Sequence, residues 1–208
     1  MEMPTEFYDF IAKFKDKEDL IENLFLKSLI DSFSRVKNIE NIYNISENKI
    51  RNEFQFDLTY INKLTKQIIE NGLITFTAEN QIINYESEVK RTDIQFIITG
   101  LVTYVVECKK LKGISKAQYI DSGINRFIEN IYISKNEEYA GMCSFIVSKD
   151  VKHIISGTKE RVKQYNFVSL NDNLICDFEN SFSSTHKKVD GYNIQIHHLF
   201  FDMNNINA

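Results

Sequence analysis

One stretch, residues 91–113, constrains the fold more than any other: RTDIQFIITGLVTYVVECKKLKG. Two apolar runs rich in β-branched and aromatic residues flank a Thr99-Gly100 turn signal, and their period-two alternation marks both as strands. Centring the hairpin on Gly100 puts Asp93 directly opposite Glu107, and the Cβ atoms of such a pair are about 5 Å apart. Lys109 stands two residues beyond Glu107 and so shares its face. Two carboxylates and an ammonium therefore meet where the apolar part of the hairpin ends. A strand turning polar as it reaches solvent is the plainer alternative. Against it stand the abrupt change after Tyr104-Val105-Val106 and the repulsion of facing carboxylates unless something positive lies between them.

A hard divalent cation is the natural candidate, Mg²⁺ with Mn²⁺ as a substitute. Asp93, Glu107 and the backbone carbonyl of Cys108 offer it three oxygens and leave positions for water and a phosphate. Lys109 is placed to handle the attacking water. No histidine stands beside these residues, and Cys108 alternates to the apolar face, so the signature of a zinc site is missing. The chemistry this points to is phosphodiester hydrolysis, with the metal polarising a phosphoryl oxygen.

Asp93, thirteen residues, then Glu107-Cys108-Lys109 on a hairpin resemble the PD-(D/E)XK, or restriction-endonuclease-like, nucleases. The resemblance spans residues 46–149. It implies an α/β fold, a mixed sheet flanked by helices in the order α-β-β-β-α-β, with Asp93 and Glu107 as metal ligands and Lys109 assisting the water. Thr92 stands where the family name has proline. Members of this family often add a carboxylate from the helix before the first core strand. Glu53 and Glu47 are the two candidates, and the sequence does not decide between them. Gln118, in the first turn of the next helix, joins the catalytic candidates as a hydrogen-bonding group for a metal-bound water or for DNA. The resemblance also implies DNA as substrate, a homodimer addressing two strands, and a place in restriction or anti-phage defence. The alternative is a catalytically inactive nucleic-acid-binding or structural component that retains the fold, although all three motif residues are present. A further rival is a soluble α/β protein that engages partners through its acidic helical front.

A net charge of −4 argues against a protein that coats nucleic acid without specificity, because phosphate contacts need positive charge. The local distribution is more telling. Lys110, Lys112 and Lys116 follow the proposed ligands closely, and with Arg126 they are the expected phosphate contacts; a solvated strand end is the alternative. A length of 208 residues suits one compact core, read as a helical extension at 1–45 packed on a nuclease-like domain at 46–208. Apolar content of 43%, with 16 Phe and a single Pro, excludes a disordered chain. No apolar run is long enough to span a membrane, and the acidic start is unlike a signal peptide, so a cytoplasmic protein is expected. Cys108, Cys143 and Cys176 are widely spaced and fit reduced thiols.

Helical periodicity runs over 5–37, with a cap at Asp16, and again from Ser46 to Gly72 through Ile50, Phe54, Leu58, Ile61 and Ile68. Short strands are expected at 73–77 and 81–85 around an Ala-Glu-Asn turn. Ser115-x-x-Gln118 opens a helix to about residue 130, with Tyr119, Gly123 and Arg126 on a different face from its buried stripe. A strand at 141–147, a helix at 150–165 and strands at 167–170 and 174–178 follow. Asp190-Gly191 signals a type I′ turn before a strand at 192–201. His197 and His198 adjoin on that strand and so point to opposite faces, which excludes them as a paired metal site.

Overall fold

The central hairpin forms in the register that its glycine sets. A computed structural model describes residues 5–83, 89–114, 117–133, 136–148 and 150–204. In it, β2 (Val89–Ile98) and β3 (Val102–Leu111) pair antiparallel from Ile98↔Val102 to Ile94↔Val106. Gly100 has φ 78° at the tip, a left-handed conformation that costs a residue with a Cβ far more than glycine.

This hairpin is the hinge of a 7-stranded mixed sheet in the order β1-β2-β3-β4-β7-β6-β5. On one side β1 (Thr75–Ile83) continues antiparallel. On the other, β4 (Tyr139–Ile146) and β7 (Asn193–Asp202) run parallel to β3, and β6 (Ser181–Lys187) and β5 (Phe167–Asn171) close the far edge antiparallel. Before the sheet come α1 (Thr5–Ile11), then α2 (Lys17–Leu20) continuing through a π-helical segment, Ile21–Leu26, into α3 (Lys27–Val36). Next are α4 (Glu47–Tyr60) and α5 (Lys66–Glu70). Between β3 and β4 lie a second π-helical segment, Ala117–Ile124, and α6 (Asn125–Ile128); α7 (Val151–Val162) follows β4. From α4 to β4 the elements thus read α-α-β-β-β-α-β, with the second π-helical segment leading into α6.

Each face of the sheet carries its own core. Helices α2 to α4 cover one face, where Phe25 stacks on Phe96 with centroids 4.6 Å apart and Phe54 stacks on both Phe145 and Phe201. The even-numbered residues Tyr104, Val106 and Cys108 of β3 belong to this layer. Val105 and Leu111 face the other way, into a core with Tyr119, Ile120, Phe127, Ile154 and Phe200. Burying each such phenylalanine contributes about 1.5–3 kcal/mol, so both layers hold the sheet strongly.

Several local expectations are corrected. The turn expected at Ala78-Glu79-Asn80 does not form: β1 is one strand, paired with β2 from Thr75↔Ile97 to Ile83↔Val89, and the ladder overrides the local turn preference. The helix expected from Ser46 to Gly72 breaks after Tyr60. Buried Asn62 donates there to the Ser28 carbonyl at 2.9 Å and to Ser32, tying the break to α3. The helix read over 5–37 is interrupted at Asp16, whose carboxylate accepts from Asp19 N–H at 2.9 Å. Residues 174–178 form only an isolated bridge, Ile175↔Phe178, because Cys176 and Asp177 both take positive φ. The loop at Asp190-Gly191 spans 188–192, and only Gly191 is left-handed, so it is not a two-residue type I′ turn. Tyr119 is core, hydrogen-bonded to His198 at 2.6 Å. The π-helical winding of its segment shifts it off the face that a 3.6-residue period assigns. Among the described residues, no helix is long and apolar enough to cross a membrane.

Candidate functional site at the fork of the sheet

The sheet splits where the polar residues begin. Beyond Ile94↔Val106, β2 pairs only with β1, as far as Val89, while β3 pairs only with β4, as far as Leu111↔Ile146. Two N–H groups of β3, at Cys108 and Lys110, point at the edge that β2 has left. Each is met by a carboxylate: Cys108 N–H donates to Asp93 Oδ2 at 2.8 Å, and Lys110 N–H to Glu47 Oε2 at 2.6 Å. The Cys108 carbonyl points to the same edge as its N–H. Ser46 caps α4 through Lys49 N–H and so aims Glu47, in the first turn, into the fork. One turn on, buried Arg51 donates to Asp93 Oδ1 at 2.7 Å.

Glu107 and Lys109 emerge on the face of α6. Lys109 Nζ lies 2.5 Å from Glu107 Oε1, and Arg126 Nη1 reaches the same oxygen at 3.2 Å while its guanidinium sits over the Tyr132 ring. The other oxygen, Glu107 Oε2, is buried with no hydrogen-bond partner among the described residues. Burial, reinforced by the Asp93 carboxylate, pushes the Glu107 carboxyl up to about 7 against the opposing pull of Lys109 and Arg126. Glu107 Oε2, the Asp93 carboxylate and the Cys108 carbonyl are all hard oxygens, the donor type that a divalent cation keeping several waters takes.

Of the residues expected from sequence, Asp93, Glu107, Lys109 and Arg126 converge here. Glu47 is the helix-borne acid at the fork. Glu53, six residues on along α4, forms no hydrogen bond or ion pair among the described residues. Lys110 is diverted: its ammonium donates to the Ile45 carbonyl at 2.6 Å, so it is a poor phosphate contact. Lys112 is exposed. Lys116 and the Gln118 side chain lie outside the described residues. Cys108 is fully buried, and burial pushes its thiol well above the usual range.

A second cluster, not expected from sequence, lies on the opposite face. Among the described residues, Glu18, Glu22 and His197 form the one group of three metal-ligating side chains whose ligand atoms all lie within 4.8 Å of one another. This group could hold a divalent cation. His197 pairs across β4 with Gly141, and Gly141 with Val106, which puts the imidazole on the layer of α2 and not on that of Glu107. Burial holds His197 down at about 4, so the ring is neutral; burial and then the neighbouring Glu18, Asp19 and Asp16 raise Glu22. Tyr104 OH donates to the Ala140 carbonyl at 3.1 Å and lies 3.1 Å from His197 Nδ1. The missing side chain of Gly141 makes room for it: a Cβ there would stand 2.7 Å from the Tyr104 hydroxyl and 2.9 Å from Val106 Cγ2. The i, i+4 spacing of Glu18 and Glu22 was the only sequence signal, and it looks like any solvated helix face. No family model, no curated protein and no solved structure matches the chain.

Proposed function

We propose that the chain is a metal-dependent phosphodiesterase acting on DNA, with the PD-(D/E)XK arrangement at the fork. The observation that carries this reading is the convergence of Asp93, Glu107 and Lys109 where β2 leaves β3, with one Glu107 oxygen buried and unpartnered. The succession of helix, three strands, helix and strand from α5 to β4 supports it. Asp93, Glu107 Oε2 and the Cys108 carbonyl would hold Mg²⁺ or Mn²⁺, with Glu47 at its flank. Such an ion, when bound, polarises a phosphoryl oxygen. Lys109 has two ammonium protons beyond the one directed at Glu107, and these orient the attacking water and a phosphate oxygen. Arg126, partly exposed and braced on Tyr132, meets a neighbouring phosphate. Arg51 fixes the Asp93 carboxylate, and the Cys108 N–H fixes its other oxygen, so the ligand is oriented before any ion arrives.

One observation favours a second reading. Asp93 and Glu107 already face Arg51, Lys109 and Arg126, so the fork is near charge balance without a metal. A non-catalytic DNA-binding component of the same fold would look like this. The test is cleavage of single-stranded, duplex and branched DNA with Mg²⁺ or Mn²⁺ by the purified chain and by Glu107→Gln and Lys109→Ala. Both variants should fold and bind DNA yet lose cleavage by at least about two orders of magnitude. Undiminished cleavage in both sinks the assignment. DNA binding by the parent chain with no cleavage under any of these conditions supports the second reading.

A further inference from the structure

We infer that Glu18, Glu22 and His197 form a binding site for one divalent transition-metal ion of the Zn²⁺ class, which ties the N-terminal helices to strand β7. This site is independent of the fork, and the inference does not rest on the nuclease reading.

The chemistry of the donor set selects the ion. One imidazole nitrogen and two carboxylates suit Zn²⁺ or its first-row neighbours, whereas Mg²⁺ and Ca²⁺ prefer oxygen alone. The contacts of His197 set its two ring nitrogens apart: Nδ1 lies against Tyr104 and Nε2 against the Gln195 amide. The Tyr104 hydroxyl and the Ala140 carbonyl both offer acceptors on the Nδ1 side of the ring, so the tautomer they favour is Nδ1–H, which leaves the lone pair on Nε2. A ligating histidine whose other nitrogen is held in this way is the usual arrangement of a metal site. Tyr139 stacks on the ring at 12° and further fixes its plane.

The place of the ion is marked by its present neighbour. The Gln195 amide nitrogen lies 2.8 Å from Glu18 Oε1 and 3.2 Å from His197 Nε2. Its two N–H groups point at a carboxylate and an imidazole lone pair, the same two acceptors that a cation would take. A weak neutral donor therefore stands in for a positive charge. Among the described residues, no lysine or arginine comes within 4.0 Å of the Glu18 or Glu22 carboxylate, although both are partly buried. The three ligands of one ion at about 2.1 Å lie at most about 4.2 Å apart, so the observed spread needs only a small closure. The two acids are reached from solvent: Glu18, Glu22 and Gln195 line a cavity of about 430 Å³ with Lys15, Asp16 and Asp19, and His197 is buried behind them. Glu22 sits in the π-helical segment that begins directly after α2, where the winding changes between the two acids. Three protein ligands leave at least one position for water.

The experiment is titration of the full, chelator-stripped chain with Zn²⁺, and with Co²⁺ as a spectroscopic probe, alongside Glu18→Gln, Glu22→Gln and Glu107→Gln. The glutamine variants are chosen because they keep size and partial burial; a change at fully buried His197 risks the fold. The parent chain should bind one Zn²⁺ at this site, show Co²⁺ ligand-field bands of a nitrogen- and oxygen-ligated ion, and gain thermal stability with rising Zn²⁺. Glu18→Gln and Glu22→Gln should each weaken binding at least about tenfold and lose the stabilisation, while Glu107→Gln should keep both. No Zn²⁺ binding by the parent, or binding that survives both Glu18→Gln and Glu22→Gln, overturns the site. Loss in Glu107→Gln alone also overturns it, by moving the ion to the fork.

Discussion

Both clusters gather acids against one sheet, yet they handle the charge in opposite ways. At the fork, Asp93 leans on Arg51 and Glu107 on Lys109 and Arg126, so the bases are built into the chain. Across the sheet, Glu18 and Glu22 have an amide and a neutral imidazole for company. Burial alone does not separate the two places. The identity of the neighbours does: a carboxylate already facing a guanidinium is held in place by it, whereas one facing only neutral donors has a charge still to be met. The fork should accordingly favour a loosely held hard ion that arrives with phosphate, and the second cluster a tighter, softer ion that stays.

The contrast can be broken by removing acids one at a time. The largest effect is expected at the fork. Asp93→Ala takes the acceptor from both Arg51 and the Cys108 N–H and should cost about 3 kcal/mol in denaturant unfolding, as breaking a buried ion pair does. A loss near zero would mean that the fork is held by packing alone.

Next comes pH. The folded-state carboxyl of Glu107 is raised from its ordinary value to about 7, with Asp93, Lys109 and Arg126 around it. Between pH 4.5 and about 7 the folded chain holds a proton that the unfolded chain has released. Stability from this group is therefore full at low pH and fades as pH rises through 7, by on the order of 2 kcal/mol. Metal-free protein should show this fall in its thermal midpoint from pH 5 to pH 8, and Glu107→Gln should lack it. An identical slope in the variant would assign the titration elsewhere.

Smaller still, Glu22→Gln in metal-free protein should raise the midpoint slightly at pH 7, because it removes a carboxylate repelled by Glu18, Asp19 and Asp16. A clear loss would show that the acid already has a stabilising partner. The mildest effect concerns DNA. Lys112→Glu, next to the fork, should weaken binding across all sequences and lower the salt slope by about one. Glu18→Gln on the far face should change neither, and an equal change in both would erase the distinction between the faces.

What the sequence made legible was what depends on near neighbours. Gly100 set a register in which residue numbers across the hairpin sum alike, and the ladder keeps it to Ile94↔Val106, one pair short of the expected Asp93 and Glu107; Ser46 and Asp16 announced their caps through single hydrogen bonds. What it concealed depends on distant or unusual partners. In the SFSSTHK segment of β6, Ser184 is buried because it bonds both His186 and His198, not because the segment is apolar. The π-helical winding moved Tyr119 into the core against a 3.6-residue period. The choice between Glu47 and Glu53 needed the position of a β3 N–H that only the fork exposes. Glu22 and His197 are joined by a fold that brings α2 over β7, and no local spacing encodes it.

Gly141 carries a consequence for how this chain tolerates change. Its backbone is not left-handed, so torsion does not demand glycine; the space above it is taken by the Tyr104 hydroxyl and a Val106 methyl. In a saturation scan, position 141 should therefore be a glycine-only column whose constraint is eased, but not removed while Val106 stays, by a second change such as Tyr104→Phe. That second change would also take the hydroxyl away from Nδ1 of His197. Selection on stability and selection on ion binding would then read different alphabets at the same two positions.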